Sequence, residues 1–106
     1  MHNGAVRGRT AQLRMYTIAE GSLDEFVQRW KAGVRPLRER HSFVIEGAWT
    51  IPDQSRFVWI LSYQGPASFD EADAAYYASP ERENLRPDPA ELLVDTQTYW
   101  LSPLPP

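Results

Sequence analysis

The segments "FVIEGAWTI" (43–51) and "RFVWILSYQ" (56–64) limit most strongly what this chain can fold into. Both are rich in β-branched and aromatic residues, and the "PDQS" between them is a run of turn formers. Together they read as a β-hairpin. Folded about Gln54, it pairs Ile51 with Phe57, Trp49 with Trp59 and Gly47 with Leu61. One face then carries Ile45, Trp49, Ile51, Phe57, Trp59, Leu61 and Tyr63. The other carries Val44, Ala48, Val58 and Ile60. A hairpin that is apolar on both sides needs cover on both sides.

The rest of the chain supplies that cover for one side. "QLRMYTI" (12–18) alternates as a strand does. After a turn at Gly21, Leu23, Phe26, Val27, Trp30, Val34 and Leu37 recur at helical spacing. Ser22 and Glu25 stand at the separation of a capping box, and Pro36 predicts a kink or break near Val34. A second helix begins in "GPASFDEADAAYY", with Ser68 and Glu71 at capping-box spacing and Phe69, Ala72 and Tyr76 on one face. "SPERENLRPDP" is loop with one helical turn at Pro80, and "ELLVDTQTYWL" (91–101) is a last strand. The order is βαββαβ. It predicts an α+β, ferredoxin-like fold whose four-stranded antiparallel sheet carries both helices on one face. The expected domain is 12–101, between a flexible tail at 1–11 and an extended tail at 102–106.

Large helix residues such as Phe26 and Trp30 fit best over the smaller hairpin face. The aromatic face would then be bare in a monomer, and its area exceeds what monomers tolerate. A second copy packing sheet to sheet covers it, and the two sheets enclose a barrel with the aromatic face inside. Two readings of that interior stay open: a solid core, or a pocket that is apolar with a few fixed donors. A net charge of −3 offers no footprint for nucleic acid or for an anionic membrane. With no cysteine there is no disulfide, thiolate metal site or cysteine nucleophile. No apolar run approaches the roughly 18 residues of a membrane span. The leader "MHNGAVRGRTA" has no apolar core, so it does not read as a secretory signal, and the expected location is the cytoplasm.

The runs "LRMYTIAEGSLDEFVQRW" (13–30), "PLRERHSFVIEGAWT" (36–50) and "FVWILSYQ" (57–64) resemble the NIPSNAP family, within the dimeric α/β-barrel superfamily. The resemblance covers about residues 12–101 and rests on Leu-Arg-x-Tyr in the first strand, the glycine before the first helix and Gly-x-Trp in the second strand. It implies the fold and a homodimer. Relatives within the superfamily include cofactor-free monooxygenases, isomerases and stress-responsive proteins without known chemistry, so the likeness fixes no activity.

Arg14 and Tyr16 match the family's Arg-x-Tyr and are the first candidates for a catalytic role. Arg14 could clamp a carboxylate or enolate and Tyr16 could donate a proton; the alternative is a structural ion pair. His41 could be a general base, or a residue favoured by the helix dipole where the first helix ends. Trp49, Trp59 and Tyr63 form the expected binding wall, or core packing, with Tyr77 near the cavity mouth. One histidine within the fold and no cysteine argue against zinc or haem. Asp70, Glu71 and Asp73 read as a solvated helix start, and Arg35, Arg38 and Arg40 as a solvated face. The expectation is a homodimer that binds a small apolar organic molecule in the barrel, and as a monooxygenase or isomerase could convert it without cofactor. Its rival is a non-catalytic dimer with a packed barrel, acting through protein partners.

Overall fold

The computed structural model describes residues 10–105, so most of the expected N-terminal tail lies outside the described residues. Strand β1 (Thr10–Ile18) leads through a turn at Gly21, whose φ of +82° suits a residue without Cβ, into helix α1 (Leu23–Arg29). A π-turn (Trp30–Val34) follows without a break and continues as α2 (Arg35–Arg40). The hairpin is β2 (Phe43–Ile51), a short 3₁₀ turn (Pro52–Gln54) and β3 (Arg56–Tyr63). Helices α3 (Phe69–Ala78) and α4 (Pro80–Glu83), a second 3₁₀ turn (Pro89–Leu92) and β4 (Leu93–Leu101) complete the chain. The sheet order is β2-β3-β1-β4, antiparallel throughout, as the ferredoxin-like pattern requires. Among the described residues no helix is long and apolar enough to cross a membrane.

The expected break at Pro36 is a π-turn. Proline cannot donate to the carbonyl four residues back, and its ring crowds that carbonyl. The helix widens just before it, with Arg35 N–H donating to the Trp30 carbonyl. The widening also aligns side chains. In a regular helix residues four apart drift by about 40° per step. Here Phe26, Trp30, Val34 and Arg38 are all buried. Arg38 is therefore not part of a solvated face: it is 1% exposed.

Only one of the two expected capping boxes forms. Ser68 N–H donates to Glu71 Oε1 (3.0 Å) and Glu71 N–H to Ser68 Oγ (3.1 Å). Ser22 makes no side-chain cap, and Glu25 pairs instead with Arg29, which also holds Glu91 at 2.8 Å.

The hairpin register corrects the sequence reading. Four residues, Pro52–Ser55, separate the paired Ile51 and Arg56, so Trp49 lies opposite Val58, and Trp59 opposite Ala48. A shift of one residue exchanges the faces. A bulge at Glu46 then takes up a residue, and Ile45 pairs with Leu61. The shift moves Trp49 away from Trp59, and the helices cover the face of Phe57, Trp59 and Leu61, not that of Val58 and Ile60. Phe57, Trp59 and Leu61 are buried, Ile45 and Tyr63 pack against that core, and Trp49 stands exposed on the other side. Aromatic packs on aromatic at the helix layer: Phe26 and Trp30 each lie 5.0 Å from Phe57, and Trp30 lies 5.4 Å from Trp59. Edge-to-face and tilted ring contacts of this kind add to the area buried, which outweighs the simpler fit of large residues over small ones. The uncovered face carries Leu13, Met15, Val44, Trp49, Val58, Ile60 and Tyr99.

Candidate functional site

β1 places Gln12, Arg14, Tyr16 and Ile18 toward the helices, each buried, with Thr96 and Thr98 of β4 beside Tyr16 and Arg14. Alternation keeps Arg14 and Tyr16 together as expected, but beneath the helices and not in a barrel interior. Between sheet and helices lies a cavity of about 210 Å³. Phe26, Trp30 and Val34 wall it from the first helix layer, Tyr16 and Trp59 from the sheet, and Tyr76 and Tyr77 from α3. Arg38 and Arg82 bring charge to it.

A small ion network supports this wall. Asp73 Oδ1 accepts from Arg14 Nη2 at 3.0 Å and from Arg38 Nη1 at 2.8 Å. Arg14 also donates to Gln12 Oε1 (2.7 Å) and to the Tyr77 hydroxyl (3.2 Å). The Arg38 guanidinium stacks 3.8 Å above the Tyr76 ring. Arg82 is held by both oxygens of Asp88, at 3.2 and 3.3 Å. Asp73 is thus no solvated helix residue; it follows Phe69 by four and shares the inward side of α3.

Burial works against the charge of Arg14, but Tyr16, Tyr77 and Asp73 favour it, and the guanidinium stays protonated with its pKa above the ordinary value. Burial, aided by Tyr77, pushes the Tyr16 hydroxyl up, against the pull of Arg14 and Trp59. Burial likewise raises Tyr76 in spite of Arg38 and Arg82. Both phenols are therefore O–H donors at neutral pH. Among the described residues the Tyr76 hydroxyl, Trp30 Nε1, Trp59 Nε1, Arg38 Nε and Arg82 Nε are buried without a hydrogen-bond partner, and all five side chains line the cavity. Native structures rarely leave such groups unmet.

Of the residues expected from sequence, the cavity gathers Tyr16, Trp59 and Tyr77, with Arg14 one hydrogen bond behind. It does not gather Trp49, Tyr63 or His41. Trp49 folds over Gly47 on the uncovered face, Tyr63 packs on Phe43 at 5.1 Å, and His41 meets Tyr76 edge-on at 5.5 Å from outside the lining. Sequence reasoning missed Trp30, Arg38, Tyr76 and Arg82 as site residues. The four-residue spacing of Phe26, Trp30, Val34 and Arg38 was the available signal for Arg38.

The NIPSNAP family model matches residues 11–106. No curated protein matches the chain significantly in sequence. Among solved structures, a NIPSNAP domain protein from Burkholderia xenovorans is 18% identical with a TM-score of 0.78, covering 90% of this chain and 94% of that one. A NIPSNAP family protein of unknown function from Agrobacterium tumefaciens is 15% identical with a TM-score of 0.80, over 96% and 92%. A third, from Bacteroides thetaiotaomicron, provisionally described as an antibiotic biosynthesis monooxygenase, is 16% identical with a TM-score of 0.69, over 97% and 95%. At these identities the likeness is one of fold.

Proposed function

We propose, from the premise that this chain belongs to the NIPSNAP family, that it acts as a homodimer binding a small organic molecule between its sheet and its helices. The site differs from the one expected at the centre of a barrel. What carries the reading is the set of buried, unpartnered donors around an otherwise apolar cavity. At about 210 Å³ the cavity is smaller than the usual ligand pocket of about 300–1,000 Å³ but larger than the about 150 Å³ that holds benzene, so it suits no more than one substituted ring. Turnover of the bound molecule, of the monooxygenase or isomerase kind, would draw on Tyr16 as proton or hydrogen-bond donor, with Arg14 donating to Tyr77 on the same wall. The dimer would seal the uncovered apolar sheet face. Its aliphatic residues, Leu13, Met15, Val58 and Ile60, suit a packed barrel and not a second pocket.

The test titrates the full chain with phenol and follows tryptophan fluorescence, because Trp30 and Trp59 line the cavity. A saturable change is expected. It should be absent from a folded Val34→Phe variant, whose larger side chain fills the space. No saturable response, or an equal response in the filled variant, refutes the site and leaves the non-catalytic, partner-binding dimer as the better account.

A further inference from the structure

The charges around the cavity do not balance. Arg38 and Arg82 line it, and Arg14 stands behind Tyr77. Facing them are Asp73, shared by Arg14 and Arg38 through one oxygen, and Asp88, taken by Arg82. Three guanidinium groups meet two carboxylates, so one positive charge is left over. The other acidic residues of α3 and α4, Asp70, Glu71, Glu81 and Glu83, are exposed and none lines the cavity. His41 approaches through the Tyr76 ring and brings no negative charge.

The open hydrogen-bonding capacity has the same sign. Arg38 Nε, Arg82 Nε, Trp30 Nε1 and Trp59 Nε1 can only donate. The Tyr76 hydroxyl, held protonated by burial, is a fifth donor without a partner among the described residues. A neutral apolar guest would leave all of these unmet. A guest with an anionic oxygen would satisfy several at once and neutralise the surplus charge, which is the condition for burying a charge at all.

We infer that the cavity takes a single-ring organic monoanion, its anionic oxygen toward Arg38, Arg82 and Tyr76 and its ring against Trp30 and Trp59. This rests on the cavity being a binding site and adds the charge and orientation of what it binds. Asp73 leaves the Arg38 Nε edge unused, and Asp88 leaves that of Arg82 unused.

The experiment compares benzoate with benzamide, two rings of nearly equal size that differ in charge, on the full chain by the same fluorescence titration. Benzoate should bind about tenfold tighter or more, the scale of a charge-assisted hydrogen bond. Arg38→Gln should remove most of that preference. If it does not fold, as judged by its melting curve, Arg82→Gln carries the same expectation. Asp88→Asn removes a carboxylate, keeps an acceptor for the Ala90 N–H, and should preserve or increase the preference. Equal affinity for the two probes overturns the monoanion while the phenol result leaves the cavity standing. A preference for benzoate unchanged in both arginine variants overturns the assignment to these groups. Failure of benzoate, benzamide and phenol alike overturns the site itself and this inference with it.

Discussion

Asp73→Ala is the most informative single change for the stability of the cavity wall. One oxygen of Asp73 holds two arginines whose side chains are 7% and 1% exposed, while Asp73 itself is 25% exposed. Removing one partner of a fully buried ion pair costs about 3–5 kcal/mol, and removing an exposed one costs at most about 1 kcal/mol. A carboxylate with one side in water belongs between these limits. Two stranded guanidiniums rather than one push the figure upward, so the expected loss is about 2–4 kcal/mol. For a domain of this size each kcal/mol lowers Tm by about 4–8 °C, so the melting midpoint by circular dichroism should fall by roughly 8–32 °C. The control is Asp70→Ala, an exposed first-turn carboxylate of the same helix, whose loss costs at most about 1 kcal/mol. A double-mutant cycle sharpens the test. Once Asp73 is gone, Arg38→Met should cost less than it does in the wild type, with a coupling of about 0.5–3 kcal/mol. An Asp73→Ala variant that melts with the Asp70→Ala control, or costs that simply add in the cycle, would refute the network as drawn.

Two further outcomes are expected. Light scattering at micromolar concentration should give twice the chain mass, and Ile60→Asp on the uncovered face should yield a folded monomer, since a real association buries about 1,000 Å² or more; a wild-type monomer sinks the dimer. The Glu71 carboxyl is held below its ordinary 4.5 by the Ser68 backbone N–H and hydroxyl, and Asp88 below 3.8 because the Ala90 N–H and Arg82 outweigh its burial. Depressed carboxylates stabilise the fold above their ordinary values and lose that contribution as pH falls through the lowered ones. Urea midpoints should therefore decline below about pH 4.5, and less steeply in a Glu71→Gln, Asp88→Asn double variant; equal slopes would deny these groups the role.

The elements were legible in the sequence because each rests on local chemistry. Gly21 turns the chain, Ser68 and Glu71 start α3, and alternation keeps Arg14 beside Tyr16. The faces were less legible. Which β2 residues share a face with Trp59 depends on whether the turn after Ile51 holds an odd or even number of residues, and which face of β3 the helices cover is a separate choice that packing makes. The bulge at Glu46 then restores the odd-with-odd pairing of Ile45 with Leu61, which no periodicity announces. Arg38 was misread for a related reason: it lies among charged neighbours, and only the π-turn brings it under the helix.

That turn also makes helix length a control on the shape of the cavity. Its extra residue sets the phase between Phe26 upstream and Arg38 downstream, at about 100° per residue. Deleting one residue from Trp30–Val34 would leave a continuous hydrogen-bonded helix yet rotate the two ends against each other. In this segment a frame-preserving deletion should therefore disturb the cavity more than most substitutions, and natural length variation here would mark a change in the cavity's lining.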